Sequence, residues 1–395
     1  MLTTSLFIYH LNKHVLSDQQ INALCRGNWL YLFCNLPFRA MNEESSSLIN
    51  SDTVAFGEST FNRQCAKKTT NVAFLKVHKA GSTTVMNIFL RFAESNSLNV
   101  MLPVPDNYLG FDQTINLNNI LPPPKHQTYN ILCHHVIYNR SVFRQYMPRD
   151  TVFIAIVRDP VTQIISAAQF FDLFIDLRKK LGKIPGQRLM TTFLQNPDIC
   201  TKAEQKFVKT RMCLDFGIPR EDLTSKDKIM SHLEILNDDF SLVMVMEKFD
   251  ESLVLLKRYL CWDMKDIVYV PLNILSRQRD EKVVIEGQDL DNLKKYNWPD
   301  FILYEYFKSN FEKRISEEGN DFNDEVKTYK QILSQVGRYC KNKTKTMEGI
   351  QIDKTRWNSD FFISNRECAF ITKHELVLLE QLRWKYKQKL RQMNS

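Results

Sequence analysis

Two apolar segments of this chain, Val72–Val77 and Thr151–Val157, each lead directly into a helical pattern. Such nearly continuous apolar runs are typical of strands that are buried on both faces of a sheet. After the first segment, apolar residues recur at the spacing of a core-facing helix, at Val85, Ile88, Phe89 and Phe92. Buried strands that alternate with helices predict an α/β fold, in which helices flank both faces of a central parallel sheet.

The same pattern predicts three more strands, Tyr129–Val136, Ser241–Met246 and Ile267–Leu272. Between the last two, Asp250 is expected to cap a helix. Apolar residues of that helix stand at Leu253, Leu256 and Leu260. The chain becomes more polar after residue 320, where we expect mostly helix, most clearly near residues 371–392.

Composition restricts the classes of ligand. The 395 residues include 53 basic and 45 acidic ones, a net charge of +8. This excess suits an anionic ligand but is too small to indicate nucleic acid, and the alternation of aromatic and basic residues that binds single strands is missing. Nine cysteines are scattered without a C-x-x-C pair, so we expect no metal site.

The N-terminus lacks an apolar stretch long enough to cross a membrane, which takes about 20 residues. The best candidate, Trp29–Phe38, is short and is interrupted by Asn35 and Pro37. It also lacks the small-residue cleavage pattern of a signal peptide. On these grounds alone we would expect a soluble chain.

The turn after the first strand carries the residue types of an anion site. Lys79 and Gly81 precede three hydroxyl residues, Ser82, Thr83 and Thr84, at the start of the predicted helix. Backbone N–H groups at a helix N-terminus bind anions, and glycine allows close approach. The alternative is an ordinary strand–turn–helix with a surface lysine. A Walker loop is not indicated: the lysine of that motif follows its second glycine, whereas Lys79 precedes the only glycine of this segment.

The second strand ends in Arg158, which can bind phosphate oxygens with two N–H groups. Asp159 and Pro160 then form an N-cap and first-turn pair, and Ser166 follows in the predicted helix. Ligands of parallel α/β sheets bind at the carboxyl ends of the strands. We therefore expect the two segments to bind one nucleotide with phosphates at its 5′ and 3′ positions.

This pair of segments resembles the 5′-phosphosulfate and 3′-phosphate motifs of sulfotransferases that use 3′-phosphoadenosine 5′-phosphosulfate (PAPS). The motifs H-K-A-G-S-T-T-V-x-N-I-x-x-R-F and R-D-P-V-T-Q resemble the galactose-3-O-sulfotransferases, a family that includes galactosylceramide sulfotransferase. Phe249–Trp262 and, more weakly, Leu303–Phe307 add to the resemblance. It extends over roughly residues 70–315.

The resemblance implies a P-loop-like sulfotransferase fold and transfer of a sulfuryl group from PAPS to the 3-hydroxyl of a galactose on a glycolipid or glycoprotein glycan. It also implies a Golgi membrane protein with a lumenal catalytic domain. We accordingly expect a weakly ordered segment, degenerate anchor or stem over residues 1–65. The sulfotransferase domain would span residues 66–320, and residues 321–395 would form a mostly helical extension packed on it.

The resemblance also implies roles for individual residues. Lys79 would contact the phosphosulfate and stabilise charge as the sulfur–oxygen bond breaks. The 5′ loop would consist of Lys79, Ala80, Gly81, Ser82, Thr83 and Thr84, and Arg158 and Ser166 would bind the 3′-phosphate. No metal is required.

A histidine is the natural base for the acceptor hydroxyl near neutral pH. We favour His135, because Cys133–Val136 resembles the strand-end histidine of heparan sulfate 2-O-sulfotransferase. His78, beside Lys79, is the second candidate, and His134 or a carboxylate is left as a third.

Several alternatives remain open at this point. The chain could sulfate a different glycan hydroxyl, act as a nucleotide kinase or other NTPase, or bind PAPS without turnover. The polar stretch Asn273–Arg279 could place an arginine over the nucleotide or be a solvated loop. Three large aromatic residues are expected to pack in the core rather than stack on a sugar, namely Trp262, Trp298 and Tyr304.

Overall fold

A computed structural model describes residue 65 and residues 67–171, 173–271, 283–342 and 348–394. These residues lie within one compact unit, residues 59–395. The stretch Asn273–Arg279 and the first 64 residues lie outside the described part of the chain. The domain boundaries at residues 65 and 320 therefore stay predictions.

A parallel sheet of four strands lies at the centre of this unit. Its strands are β1 (Val72–Phe74), β2 (Ile131–Leu132), β3 (Val152–Val157) and β4 (Leu242–Val245). Their order is β2-β1-β3-β4, and all three pairings are parallel. Nearly every strand residue is buried, which explains the continuous apolar runs in the sequence.

Helices flank the sheet, and the predicted α/β class is confirmed. The longer helices up to the end of the sheet are α1 (Ser82–Ser95), α2 (Arg140–Tyr146), α3 (Pro160–Phe170), α4 (Leu173–Leu181), α5 (Gly186–Gln195), α6 (Arg211–Asp215) and α7 (Lys226–Asp239). After β4 the chain forms α8 (Phe249–Leu260), α9 (Met264–Ile267), α10 (Gly287–Tyr296), α11 (Trp298–Glu317), α12 (Phe322–Lys341), α13 (Asn365–Ile371) and α14 (Glu375–Asn394). An antiparallel hairpin, β5 (Gly349–Ile352) and β6 (Phe361–Ser364), precedes α13.

Aromatic side chains fill the space between the sheet and α1. The rings of Phe74 and Phe89 stack with 5.4 Å between centroids, and Phe92 stacks on Trp262 at 3.7 Å. All four side chains are almost completely buried. Trp262 and the buried Tyr304 thus pack in the core, as expected.

The predicted strand Ile267–Leu272 is wrong. Residue Ile267 ends the short helix α9, and residues 268–271 pair with no strand. Asp263 and Asp266 form a capping box that favours the helix. The carbonyls that a strand would use accept side chains instead, from Tyr329 to Ile267 and from Arg91 to Val268.

The predicted cap at Asp250 is also wrong. Helix α8 begins at Phe249, so Asp250 stands in its first turn. Its carboxylate accepts the Tyr269 hydroxyl at 2.9 Å instead of a backbone N–H. An acidic residue in the first turn still stabilises the helix dipole.

Two disulfides form within the unit, Cys65–Cys261 and Cys340–Cys368. The sequence alone could not pair these cysteines. The first joins residue 65 to the end of α8, and the second joins α12 to α13. Cross-links of this kind restrict the unfolded chain and so favour the folded state.

The helix expected near residues 371–392 is α14, Glu375–Asn394. Its residues Leu378 and Leu379 are completely buried, and Arg383 donates to the carbonyls of Pro103 and Asp106. These contacts dock α14 on the loop that follows α1. None of the helices within the described ranges has the length and apolarity that crossing a membrane requires.

Candidate active site

The loop from β1 to α1 has the backbone of a close-approach turn. Lys79 and Gly81 both have positive φ, 59° and 71°. A Cβ at Gly81 would also contact the flexible Met246 side chain, but it is the positive φ that favours glycine at this position. Helix α1 begins at Ser82 directly afterwards. Its first N–H groups have no partner within the helix, which makes the turn suitable for an anion.

Arg158 connects the two predicted segments. Its Nη1 donates to the Lys79 carbonyl at 2.8 Å, and its Nε donates to the Thr162 hydroxyl at 3.0 Å. Strands β1 and β3 are neighbours in the sheet, so their carboxyl ends meet as predicted. Asp159 caps α3 by accepting the Thr162 N–H, and Pro160 opens the helix. Burial lowers the pKa of Arg158.

The Lys79 ammonium lies over the exposed ring of Phe170, with Nζ 3.7 Å from its centroid. Burial, together with the nearby cations Arg158 and Lys76, lowers the pKa of Lys79 to about 8. The side chain is therefore mostly charged at neutral pH and titrates just above it. A bound anion would relieve the repulsion among these cations.

Two of the predicted loop hydroxyls are engaged within the protein. Ser82 donates to the Val77 carbonyl at 2.7 Å and is buried, and Thr83 donates to a carboxylate oxygen of Glu375 at 3.0 Å. Ala80 is completely buried, whereas Thr84 is partly exposed. Ser166 lies partly exposed on α3, and the described contacts of Arg158 do not include it.

His78 is held by a buried carboxylate. Its Nδ1 lies 2.9 Å from Asp215 Oδ2, and its backbone N–H donates to the same oxygen at 2.8 Å. Arg211 holds the other oxygen of Asp215 at 2.6 Å. A carboxylate at Nδ1 selects the tautomer that carries its proton there. His78 Nε2 is then a lone-pair acceptor, and it is buried without a partner among the described residues.

The charges around His78 are balanced. Burial alone would raise the pKa of Asp215, but Arg211 and His78 hold it below its usual value. Burial outweighs the attraction of Asp215 and lowers the pKa of His78. The imidazole is therefore neutral near neutral pH, the state in which it can accept a proton.

His135 stacks on His78, with ring centroids 4.0 Å apart. Its Nδ1 donates to the Lys76 carbonyl at 2.9 Å, which leaves Nε2 as the basic nitrogen. Burial holds the pKa of His135 well below its usual value. His134 is completely buried instead, with neither ring nitrogen bonded to a described residue. Burial lowers the pKa of His134 to about 3.

A buried ion pair lies beside this site. The Lys76 ammonium, only 1% exposed, bonds to Glu375 Oε1 at 2.6 Å. Asn107 donates to the same oxygen at 3.0 Å. Burial opposes ionisation of Glu375, yet Lys76 lowers the pKa of that carboxyl to about 2. Glu375, the first residue of α14, therefore links this helix to Lys76, which follows β1, and to Thr83 at the start of α1.

Sequence reasoning missed three of the charged residues at this site: Arg211, Asp215 and Glu375. The spacing of Arg211 and Asp215 on α6 favours an ion pair, but it gives no sign that Asp215 contacts a residue 137 positions away. Glu375 is 299 positions from Lys76. Within the described ranges, no group of three or more His, Cys, Asp or Glu side chains is arranged to hold a metal ion.

The arrangement combines three chemical capacities. A neutral imidazole with a free acceptor nitrogen follows from the His78–Asp215 contact. The adjacent Lys79 supplies a cation, and α1 begins directly after the turn at Gly81, where helix N-terminal N–H groups can bind an anion. Together they can take a proton from one group and stabilise negative charge on another, as group transfer between two oxygens requires.

Comparison with known proteins agrees with this chemistry. The galactose-3-O-sulfotransferase family model matches residues 29–359. Galactose-3-O-sulfotransferase 2 of Sus scrofa is 31% identical over 260 residues, which cover 63% of this chain and 63% of the relative. Galactose-3-O-sulfotransferase 3 of Mus musculus is 31% identical over 257 residues, 63% of this chain and 58% of the relative.

Galactosylceramide sulfotransferase of Homo sapiens is 29% identical over 255 residues, which cover 64% of this chain and 59% of the relative. The matches thus span about three fifths of the relatives' own length. The family model, in contrast, covers well over half of the 395 residues. The resemblance found in the two motifs is confirmed, and the chain belongs to the galactose-3-O-sulfotransferase family.

Proposed function

We propose that this protein transfers the sulfuryl group of PAPS to the 3-hydroxyl of a terminal galactose on a glycolipid or glycoprotein glycan. The observation that carries the proposal is the juxtaposition of Lys79 with a carboxylate-held imidazole at His78. Family membership supports the chemistry, and the names of the relatives support galactose as the acceptor sugar.

The donor would bind across the two strand ends. Its 5′-phosphosulfate would meet Lys79 and the turn of Ala80, Gly81, Ser82, Thr83 and Thr84, and its 3′-phosphate would meet Arg158 and Ser166. The positive-φ turn and the start of α1 fit an anion at the first position. The guanidinium of Arg158 has Nη2 left to bind phosphate oxygens, beyond the Nη1 and Nε bonds described above.

The transfer itself is a single displacement. A basic imidazole takes the proton of the galactose hydroxyl while its oxygen forms a bond to sulfur. The bond between sulfur and the 5′-phosphate oxygen breaks, and adenosine 3′,5′-bisphosphate leaves with the bonding electrons. The Lys79 ammonium stabilises the charge that develops on the leaving oxygen.

Two stacked imidazoles, those of His78 and His135, are candidates for the base that takes the acceptor proton. His78 has the stronger orienting partner, because the Asp215 carboxylate stabilises an imidazolium more than the neutral Lys76 carbonyl stabilises that of His135. Nε2 of His78 has no partner among the described residues, and a substrate hydroxyl would supply the missing hydrogen bond. We therefore propose His78 as the base, with Asp215 as its positioning residue. His135, which is more exposed, is the other candidate.

The location of the protein belongs to the same proposal. Enzymes of this kind act on glycans in the Golgi lumen, and we propose Golgi membrane association with the catalytic domain on the lumenal side. The two disulfides are consistent with an oxidising compartment.

Labelled donor and a panel of galactosides test the function directly. The protein is incubated with ³⁵S-labelled PAPS and galactosylceramide, lactose or a galactose-terminated glycopeptide, and the linkage of each product is determined. We expect sulfate at the galactose 3-position of at least one acceptor. Sulfate at another hydroxyl would shift the assignment to a different glycan specificity. Transfer from γ-labelled ATP in a parallel reaction would favour a kinase.

A further inference from the structure

A continuous arc of aromatic rings surrounds the imidazole pair. It consists of Phe170, Phe171, Phe207, Tyr108 and Phe111, and we refer to it as the aromatic arc. At one end, the Phe170 and Phe171 centroids lie 4.9 Å apart, and Phe171 stacks on Phe207 at 3.9 Å. At the other end, Tyr108 and Phe111 lie 5.0 Å apart.

The two halves of the aromatic arc meet at the proposed base. The His78 ring lies 5.4 Å from that of Phe207 and 6.1 Å from that of Tyr108. Tyr108 also stacks on His135 at 5.3 Å. Three separate segments of the chain, 108–111, 170–171 and 207, thus bring their rings to the same two imidazoles. The two imidazoles therefore lie between the two halves of the aromatic arc.

Core packing alone does not account for the aromatic arc. Its end residues are among the most exposed large apolar side chains of the described chain, Phe170 at 65% and Phe111 at 51%. Exposed apolar surface that is continuous and borders polar groups marks a binding site. At its centre, the buried Nε2 of His78 lacks a partner among the described residues, which points to a ligand with a hydrogen-bond donor.

Charged groups stand at both ends of the aromatic arc. The Lys79 ammonium lies over Phe170 at 3.7 Å, and the Lys206 ammonium lies over Phe111 at 3.9 Å. Lys206 also bonds to Asp112 at 2.5 Å. The rim near Phe111 therefore offers both an N–H donor and a carboxylate acceptor, which matches the donor and acceptor character of sugar hydroxyls.

We propose that the aromatic arc is the acceptor subsite and binds the galactose ring through its apolar face. This inference rests on the proposed function. A galactose ring carries C–H groups on one face and hydroxyls at its edge, so it can pack on the rings while a hydroxyl reaches His78 Nε2. The Lys206–Asp112 pair would bind hydroxyls at the outer edge of the sugar.

The adenine of the donor is the other flat ligand that aromatic rings could hold. The acceptor is favoured because Tyr108 and Phe207, in the middle of the arc, contact His78 and His135, the two candidate bases for the acceptor hydroxyl, whereas the donor-side Lys79 contacts the end residue Phe170. The Arg158 guanidinium, which serves the nucleotide, instead bonds to the loop carbonyl and to α3.

Direct binding separates these two occupants. Phe111→Ala and Phe207→Leu are compared with the unaltered protein for two dissociation constants, that of adenosine 3′,5′-bisphosphate and that of a β-galactoside in its presence. We expect galactoside binding to weaken by about tenfold in each variant, the size of one lost aromatic contact. The bisphosphate constant should not change. Phe111→Tyr, which keeps the ring, should bind the galactoside normally.

Trp384→Ala is the matched control, because Trp384 is 65% exposed, as Phe170 is, but lies on α14 and makes no ring contact with the aromatic arc. It should leave both constants unchanged. Galactoside binding that survives Phe111→Ala and Phe207→Leu would overturn the inference. A loss confined to the bisphosphate would assign the rings to adenine. If the unaltered protein binds both ligands without transfer, the proposed function fails while the aromatic arc stands.

Discussion

The donor side and the acceptor side of the site differ in how they treat charge. On the donor side, burial and the neighbouring Arg158 lower the pKa of Lys79, and a bound anion would relieve the repulsion between these two cations. On the acceptor side, Asp215 is shared between His78 and Arg211, so charge is already balanced. The donor side is thus prepared for a charged ligand, and the acceptor side keeps its imidazoles neutral for a neutral one.

The strongest test of this difference between the two sides is substitution of His78, where we expect the largest effect on the catalytic rate. If His78 is the base, His78→Ala reduces kcat by about 10²–10⁴-fold, while affinity for adenosine 3′,5′-bisphosphate hardly changes. His135→Ala should cost less. Rates of both variants at saturating donor decide the assignment. Should His135→Ala lose the larger factor, His135 is the base, as the sequence alone favoured.

Removal of Lys79 should affect the donor side almost as strongly. Lys79→Ala is expected to raise the barrier by about 3 kcal/mol or more, because it removes the cation at the leaving oxygen. Circular dichroism and thermal unfolding of the variant check that the fold persists. A variant with nearly normal turnover would exclude Lys79 from the mechanism.

Glu375 tests the charge balance between the two sides. Glu375→Ala leaves the Lys76 ammonium buried without its carboxylate. Since breaking a buried ion pair is costly, we expect the free energy of unfolding in urea to fall by about 3 kcal/mol. Glu305→Ala is the control, because it breaks a surface pair with Lys308 at 3.8 Å and should change stability little. Equal effects of the two substitutions would contradict the importance of the buried pair.

Substitution of Arg158 tests which of the two phosphate positions of the donor this residue recognises. Arg158→Ala should lower the affinity for adenosine 3′,5′-bisphosphate by about 10- to 100-fold, as expected for the loss of one charge-assisted hydrogen-bond pair. The affinity for adenosine 5′-phosphate, which lacks the 3′-phosphate, should fall much less. Titration calorimetry with both nucleotides gives the comparison. Equal losses would show that Arg158 does not recognise the 3′-phosphate.

The pH dependence of the donor side should be the smallest effect. The pKa of Lys79 is about 8, and the charged form is required, so kcat/KM for PAPS should fall as pH rises through this value. Lys79→Arg keeps the charge to much higher pH and should remove this decline in whatever activity it retains. A decline that persists near pH 8 in Lys79→Arg would belong to another group.

The donor side of the site could be predicted from the sequence to a larger extent than the acceptor side. Lys79, Gly81 and Arg158 stand where local sequence makes both the strand end and the helix start, so periodicity and turn chemistry reveal them. Asp215 and the aromatic arc come from segments far apart in the chain, and no local pattern links them to His78. The last predicted strand failed for a related reason. Its residues Ile267, Val268 and Val270 are buried as expected, but a capping box and side-chain donors determine the backbone.

Glu375 gives the site an order of assembly in time. The loop that it contacts is synthesised before it, because Glu375 belongs to the last helix of the described residues and follows Lys76 by 299 residues. During translation, Lys76 therefore has no partner carboxylate until 299 further residues have been added. A chain that stopped between the second motif and residue 375 would contain both motifs but would lack the carboxylate that pairs with the buried Lys76 ammonium. Such a truncation would therefore leave both motifs in place and still destabilise the part of the site around Lys76.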